Sequence, residues 1–222
     1  QAKILLDEAE YNNLDDKVKN ERFGRWVACS LCEQDYHGVV RCALGWACWK
    51  TYVGRPETDV DRGMAMGVLA NGLASTDHHE DAVSVYEAEL SMRRHVGASE
   101  EHVLCIQGNL ANAYYKLGRR EEALPIYRDV YSGYLRLLGE HIMTLAAADN
   151  YALSLLKLQR FEEAKSLLRK QLPVARRILG KDHIQTIKMT WRSAEALYED
   201  ANATLEDMRE VVTTLEELER TA

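Results

Sequence analysis

Apolar residues recur along this chain at helical rather than strand spacing, in paired segments. Within 103–117, Leu110, Ala111, Tyr114 and Leu117 fall on one helical face. Within 121–138, Ala123, Ile126, Tyr127, Val130, Tyr134 and Leu137 do the same. The break at Gly118–Arg120 predicts a tight turn between the two helices. Gly139 and Gly180 stand where a helix C-terminus favours positive φ. The pattern then repeats. With 109–139 set above 150–180, Asn109, Lys116, Leu117, Arg119, Glu121, Glu122, Ala123, Arg128, Arg136, Leu138 and Gly139 meet identical residues. An earlier copy places Leu69, Ala70, Glu80, Ala82 and Tyr86 opposite Leu110, Ala111, Glu121, Ala123 and Tyr127. A fourth begins near Ile184, and after a gap of about three residues Glu206, Asp207 and Met208 oppose Glu162, Glu163 and Ala164.

One helix pair cannot bury its apolar face alone, so the expectation is an all-α stack of antiparallel pairs. The small Ala123 and Ala164 let paired helices come close. Ahead of the repeats, residues 2–25 read as helical, with Ile4, Leu5, Ala9, Leu14, Val18, Phe23 and Trp26 at apolar positions. A second apolar helix is expected from about His37 to Val53, stopped by Arg55-Pro56-Glu57. The chain thus divides into an amino-terminal helical cap, 1–58, and four repeats at about 59–98, 99–140, 141–182 and 183–222.

Composition narrows the classes. With 222 residues and 46% hydrophobic content the chain can bury a sizeable core, and only three prolines favour helix. Its 28 basic against 35 acidic residues, a net charge of −7, speak against a general nucleic-acid binder. No apolar run approaches the roughly 20 residues of a membrane span, and no secretory signal opens the chain. Five cysteines, spaced unlike a disulfide scaffold, suggest a reducing, cytoplasmic setting. Gln1 in place of Met suggests a fragment or processed product.

Charge is unevenly placed. Between 157 and 181, Lys157, Arg160, Lys165, Arg169, Lys170, Arg176, Arg177 and Lys181 face only Glu162 and Glu163. Between 200 and 222, seven acids face Arg209 and Arg220. Either neighbouring repeats neutralise each other, or the basic third repeat attracts an acidic peptide.

Asn109-Leu110-Ala111, Tyr114, Gly118, Glu122-Ala123 and Leu138-Gly139-Glu140-His141 resemble a tetratricopeptide repeat of the kind found in kinesin light chain. Asn150-Tyr151-Ala152, Glu163-Ala164 and Leu179-Gly180-Lys181-Asp182-His183 carry the same likeness, with Ile142 and Ile184 where the family usually has proline. The resemblance implies a right-handed superhelical solenoid whose first helices line a concave groove. That groove would present Asn71, Asn109, Asn112, Lys116, Asn150 and Lys157, with Trp191 or Arg192 near its far end. Asparagine amides can hold a peptide backbone through paired donor and acceptor contacts. Alternatively, Asn109 and Asn150 tie helices together.

Trp26-Val-Ala-Cys29-Ser-Leu-Cys32, followed by Tyr36, is similar to the closing end of a RING-CH zinc finger. Cys29 and Cys32 would be two of the four ligands zinc needs, the others lying upstream of Gln1. His37, Cys42 and Cys48 are the nearest candidates within the chain. Cys42 and Cys48 diverge round a helix, so they and Cys105 read as buried small hydrophobes. Redox use of the Cys29–Cys32 pair lacks its usual βαβ setting. Asp77-His78-His79-Glu80-Asp81 falls on an inter-helix turn, and Thr204 with Asp207 reads as a helix-capping pair. No phosphate loop, HExxH or nucleophile elbow is present, so no catalytic residue is expected.

The expected function is a non-enzymatic scaffold for a peptide or protein partner, with no cofactor unless upstream ligands complete a zinc site. One alternative is the substrate-recognition part of a RING-CH-type ubiquitin ligase. Another is self-association through exposed solenoid ends, giving a homo-oligomer.

Overall fold

The computed structural model describes residues 2–219. Those residues are all-α apart from one isolated antiparallel bridge, Ala28 to Asp35, and fall into two compact units, 1–113 and 114–222. The boundary cuts helix α6 (Glu100–Lys116) near its C-terminus.

The first unit opens with α1 (Ala2–Tyr11) and α2 (Asp16–Phe23), followed by a 3₁₀ turn, Gly24–Trp26. The single helix expected over 2–25 is broken. Asn13 adopts a positive φ of 50°, and Asp15 caps the restart by accepting from the Val18 N–H at 2.9 Å. The buried stripe of α1 is Ala2, Leu6 and Ala9, while Ile4 stands 70% exposed, so the helix is turned from the face its larger residues suggested. Ala2, Leu6, Phe23, Trp26, Cys48, Tyr52 and Ala65 form one core. At its edge Arg55 donates to Glu10 at 2.7 and 3.0 Å and to Asp61 at 3.1 Å, with its guanidinium over the Tyr52 ring. This ties α1 to the start of α4.

α3 (Gly38–Tyr52) and α4 (Val60–Ala74) pack backbone to backbone. A Cβ on Gly45 would lie 2.9 Å from the Val68 carbonyl oxygen, and one on Gly72 would lie 2.9 Å from the Arg41 carbonyl oxygen. Only glycine fits either place. α4 then pairs with α5 (His79–His95), capped by Asp59 at its own start. Of the segment 77–81 expected on the turn, Asp77, with its positive φ, and His78 lie there, whereas His79, Glu80 and Asp81 open α5 and the His79 side chain is largely enclosed.

The second unit contains α7 (Arg120–Leu138), α8 (Ile142–Lys157), α9 (Phe161–Leu179), α10 (Ile184–Tyr198) and α11 (Leu205–Glu219). Gly139 and Gly180 take φ of 58° and 87°, as expected of helix ends. The histidines that follow them have a visible task. Nδ1 of His141 accepts from the Met143 N–H at 3.3 Å, and Nδ1 of His183 from that of Gln185 at 3.1 Å, capping the next first helix. Leu145, Ala148, Ala152, Leu155, Leu156, Ala164, Leu168, Ala175, Met189 and Ala196 make a continuous core through these pairs. Thr204 and Asp207 form the expected reciprocal cap of α11.

α5 carries two buried charges. Glu89 is 5% and Arg93 6% exposed, and they fit because Gly67 and Gly63 leave the space opposite. Desolvation pushes the Glu89 carboxyl up to about 7, with Arg93 only partly offsetting it. A carboxyl raised in the folded state contributes stability below its unfolded value of roughly 4.3. That contribution is lost as pH rises through about 7. The unfolding free energy from urea titrations should therefore fall between about pH 5 and pH 8, by on the order of 3 kcal/mol from this group. In Glu89→Gln that slope should be missing.

Candidate functional site

The first helices carry the residues marked out by the repeat. In the first unit Asn71, on α4, is half-buried, and its amide oxygen accepts from the Tyr86 hydroxyl of α5 at 2.8 Å. That contact joins the two helices of one pair. Asn109, on α6, is also half-buried, yet its amide has no hydrogen-bond partner among the described residues. Asn112 is exposed on the same helix.

In the second unit Asn150, on α8, repeats the situation of Asn109: half-buried, with no hydrogen bond among the described residues. Lys116, at the end of α6, is exposed and forms no ion pair among them. Lys157 and Arg192 are different. Lys157 donates to Glu195 Oε1 at 2.7 Å and lies 3.9 Å from Glu199, while Arg192 donates to Glu195 Oε2 at 3.1 Å and stands 3.6 Å from Asp149. Burial opposes ionisation of Glu195, but Lys157 and Arg192 outweigh it and hold the carboxyl below its usual range. Asp149, 6% exposed, is pushed up by desolvation, with Arg192 and Lys188 acting against that.

Asp149 and Glu195 were not singled out in the sequence. Neither lies in the segments where charge segregates, 157–181 and 200–222; part of that segregation resolves here as contact between neighbouring repeats. Lys157 meets the acids of α10, and Lys165 of α9 donates to Asp200 at 2.8 Å. The exposed remainder of the basic set includes Arg169, Lys170 and Lys181.

Cys29 and Cys32 lie in a small hairpin closed by the Ala28–Asp35 bridge and by Cys29 N–H to Gln34 O at 2.9 Å. Backbone N–H groups of Leu31 and Cys32 point at the Cys29 sulfur and lower its pKa from the usual thiol value. Among the described residues no group of three or more histidines, cysteines or acids gathers in metal-binding geometry. All five cysteines are free thiols. Cys48 is buried as expected, but Cys42 is only half-buried, and Cys105 lies exposed on α6, because its position faces away from the Leu104 and Ile106 core side. Among the described residues no helix is long and apolar enough to cross a membrane.

Against known proteins, the tetratricopeptide repeat family model matches residues 102–170. Over that stretch, about a third of the chain, the sequence is similar to this family. Its fold is similar to the nearly identical TPR-like repeats of a kinesin-light-chain-type protein from Podosopora anserina. That structure has a TM-score of 0.66 and 16% identity, over 99% of this chain and 92% of the other. A second structure of the same repeats, carrying one substitution, gives 0.67 and 17% over the same shares. BtubC (BKLC) from P. vanneervenii gives 0.57 and 15%, over 82% of this chain and 89% of its own. No curated protein matches the sequence.

The Glu195 contacts are a testable tie. Glu195→Ala should remove both ion pairs at once and lower stability by about 1 kcal/mol, a modest amount because the pairs are partly solvated. Thermal unfolding should shift down by about 2–4 °C in a chain of this size. An unchanged midpoint would mean the charges only solvate the surface.

Proposed function

We propose that the chain is a non-enzymatic scaffold that binds an extended segment of a protein partner along the first helices of its repeats, in a cytoplasmic setting. The observation that carries this reading is the pair Asn109 and Asn150. They hold the same place in successive repeats, half-buried, with amides that no neighbour uses. A packing role would leave such groups bonded, as Asn71 is to Tyr86. An amide that offers one donor face and one acceptor face suits a peptide backbone whatever its side chains.

The same geometry shapes the charge preference. Lys157 and Arg192 are already matched by Glu195, so they add little attraction for an acidic partner. Lys116 is the cation of the candidate set that remains for one. Peptides selected from a display library on the wild-type protein provide the probe. Asn109→Ala and Asn150→Ala should each weaken their binding by roughly 5–30-fold, the loss of a buried hydrogen bond. Helicity by circular dichroism should stay unchanged. Binding that survives both substitutions moves the site off these helices.

A second reading makes the chain the substrate-choosing part of a ubiquitin ligase. It is favoured by the Cys29–Cys32 hairpin, whose backbone N–H groups stabilise a thiolate as a zinc ligand requires. A protein extended upstream of Gln1 should then hold zinc, measured by elemental analysis, and lose it on Cys29→Ser. Absence of zinc from the extended protein sinks the ligase reading and leaves the scaffold reading intact.

A further inference from the structure

The first repeat buries charge at positions where its neighbour has none. At the 41-residue shift Val130 holds the place of Glu89, Tyr134 that of Arg93 and Leu104 that of Gly63, and all three are buried. Apolar side chains therefore fill these positions of the repeat, and packing alone does not call for a carboxyl there.

Glu89 also lacks what normally accompanies a buried carboxyl. Its Oε2 is enclosed with no hydrogen-bond partner, and no ion pair closes on the group among the described residues. Arg93, one turn further along α5, is held instead at the Val60 carbonyl, to which Nη2 donates at 3.4 Å, and its Nε is unpartnered. The Tyr86 hydroxyl is taken by Asn71. An enclosed carboxyl in this state is short of a donor, and a cation is the donor that best offsets its desolvation.

The carboxyl is open to approach past one residue. Met64, Gly67 and Asn71 follow helical spacing along a half-buried side of α4, the side that carries the candidate Asn71. At the middle position there is no side chain. A Cβ on Gly67 would lie 3.3 Å from Glu89 Oε1 and 3.5 Å from Oε2, so glycine leaves the carboxyl behind a gap no deeper than one methyl group. On α6, Cys105 is close enough to feel the Glu89 charge, and Glu101 adds a second acid beside it. The cations nearby are Arg93, held at Val60, and Arg41 of α3, which acts on the Tyr86 hydroxyl. An ammonium is compact enough to enter over a glycine, whereas the planar fork of a guanidinium needs a wider mouth.

We propose that this niche, with Gly67 at its mouth and Glu89 at its floor, takes the ammonium of a lysine in the partner's extended segment. The subsite rests on the scaffold reading above and adds a side-chain preference that the asparagine amides do not supply.

Peptides selected from a display library on the wild-type chain are again the probe, and they should share one lysine at a fixed position. Replacing that lysine by methionine should weaken binding to the wild type by roughly 10-fold, the loss of a hydrogen bond to a charged group. The same replacement should leave binding to Glu89→Gln almost unchanged, so that the two substitutions are coupled. Gly67→Ala keeps the carboxyl, fills the gap and suits a helix interior, and it should cancel the advantage of lysine in the same way. It serves if Glu89→Gln loses helicity. Peptides that depend on Asn109 and Asn150 but share no lysine, or a lysine whose loss weakens binding equally on both proteins, overturn the subsite and leave the scaffold reading standing. A selection that yields no peptide overturns both.

Discussion

How near two helices can approach controls most of what this chain builds. At the α3–α4 contact the answer is backbone contact, since a single methyl group on Gly45 or Gly72 would collide with a carbonyl oxygen. Along the later pairs alanine takes over: Ala82, Ala111, Ala123, Ala148, Ala152, Ala164 and Ala196 are all fully buried. Small residues at the crossing points let the larger ones interdigitate beside them at crystal-like density. Leu145, Leu155 and Leu168 reach full burial on that account. The same spacing explains the odd polar pair of α5. Gly63 and Gly67 remove just the volume that the Arg93 guanidinium and the Glu89 carboxyl fill, at the cost of desolvating both.

Once the packing is set by small residues, charge settles the register between neighbours. Shape alone would allow one pair to slide on the next, because alanine and leucine stripes are tolerant of shift. Specific ion pairs are not. Lys157 to Glu195 and Lys165 to Asp200 link the third pair to the fourth on either side of the α8–α9 turn. Such contacts add little net stability when partly solvated. Their worth lies in making the wrong alignment costly, since a displaced Lys165 would leave Asp200 largely enclosed without its cation.

The helices were legible because their signals are local. Periodicity, the turn glycines and the Thr204–Asp207 cap each act within a few residues, and each is found where the sequence placed it. What escaped was either non-local or conformationally ambiguous. The break at Asn13 rests on a residue that tolerates left-handed backbone but does not demand it. The outward turn of Ile4 follows from Arg22 donating to the Leu5 carbonyl across 17 positions, and from Arg55 reaching back to Glu10. Neither partner can be chosen from spacing. At the candidate site the residue types were readable and the partners were not: Asn71, Asn109 and Asn150 look alike in sequence, and only the Tyr86 hydroxyl separates the first from the others.

That separation bears on how a repeat array acquires specificity. Residues that fix a helix pair spend their hydrogen bonds inward, so they present no chemistry to a partner. Lys157 and Arg192, matched by Glu195, belong with Asn71 on that side. What is left over after packing is sparse: two asparagine amides in successive repeats, and the terminal lysine of α6. Under the proposed scaffold role, such a surface would read backbone more than side chains, because its strongest charges pair within the chain. Under the same proposal, discrimination among partners would come from what flanks the amides, namely the aromatic and basic positions that differ from one repeat to the next. On that proposal repetition would supply the grip, and the departures from repetition the choice.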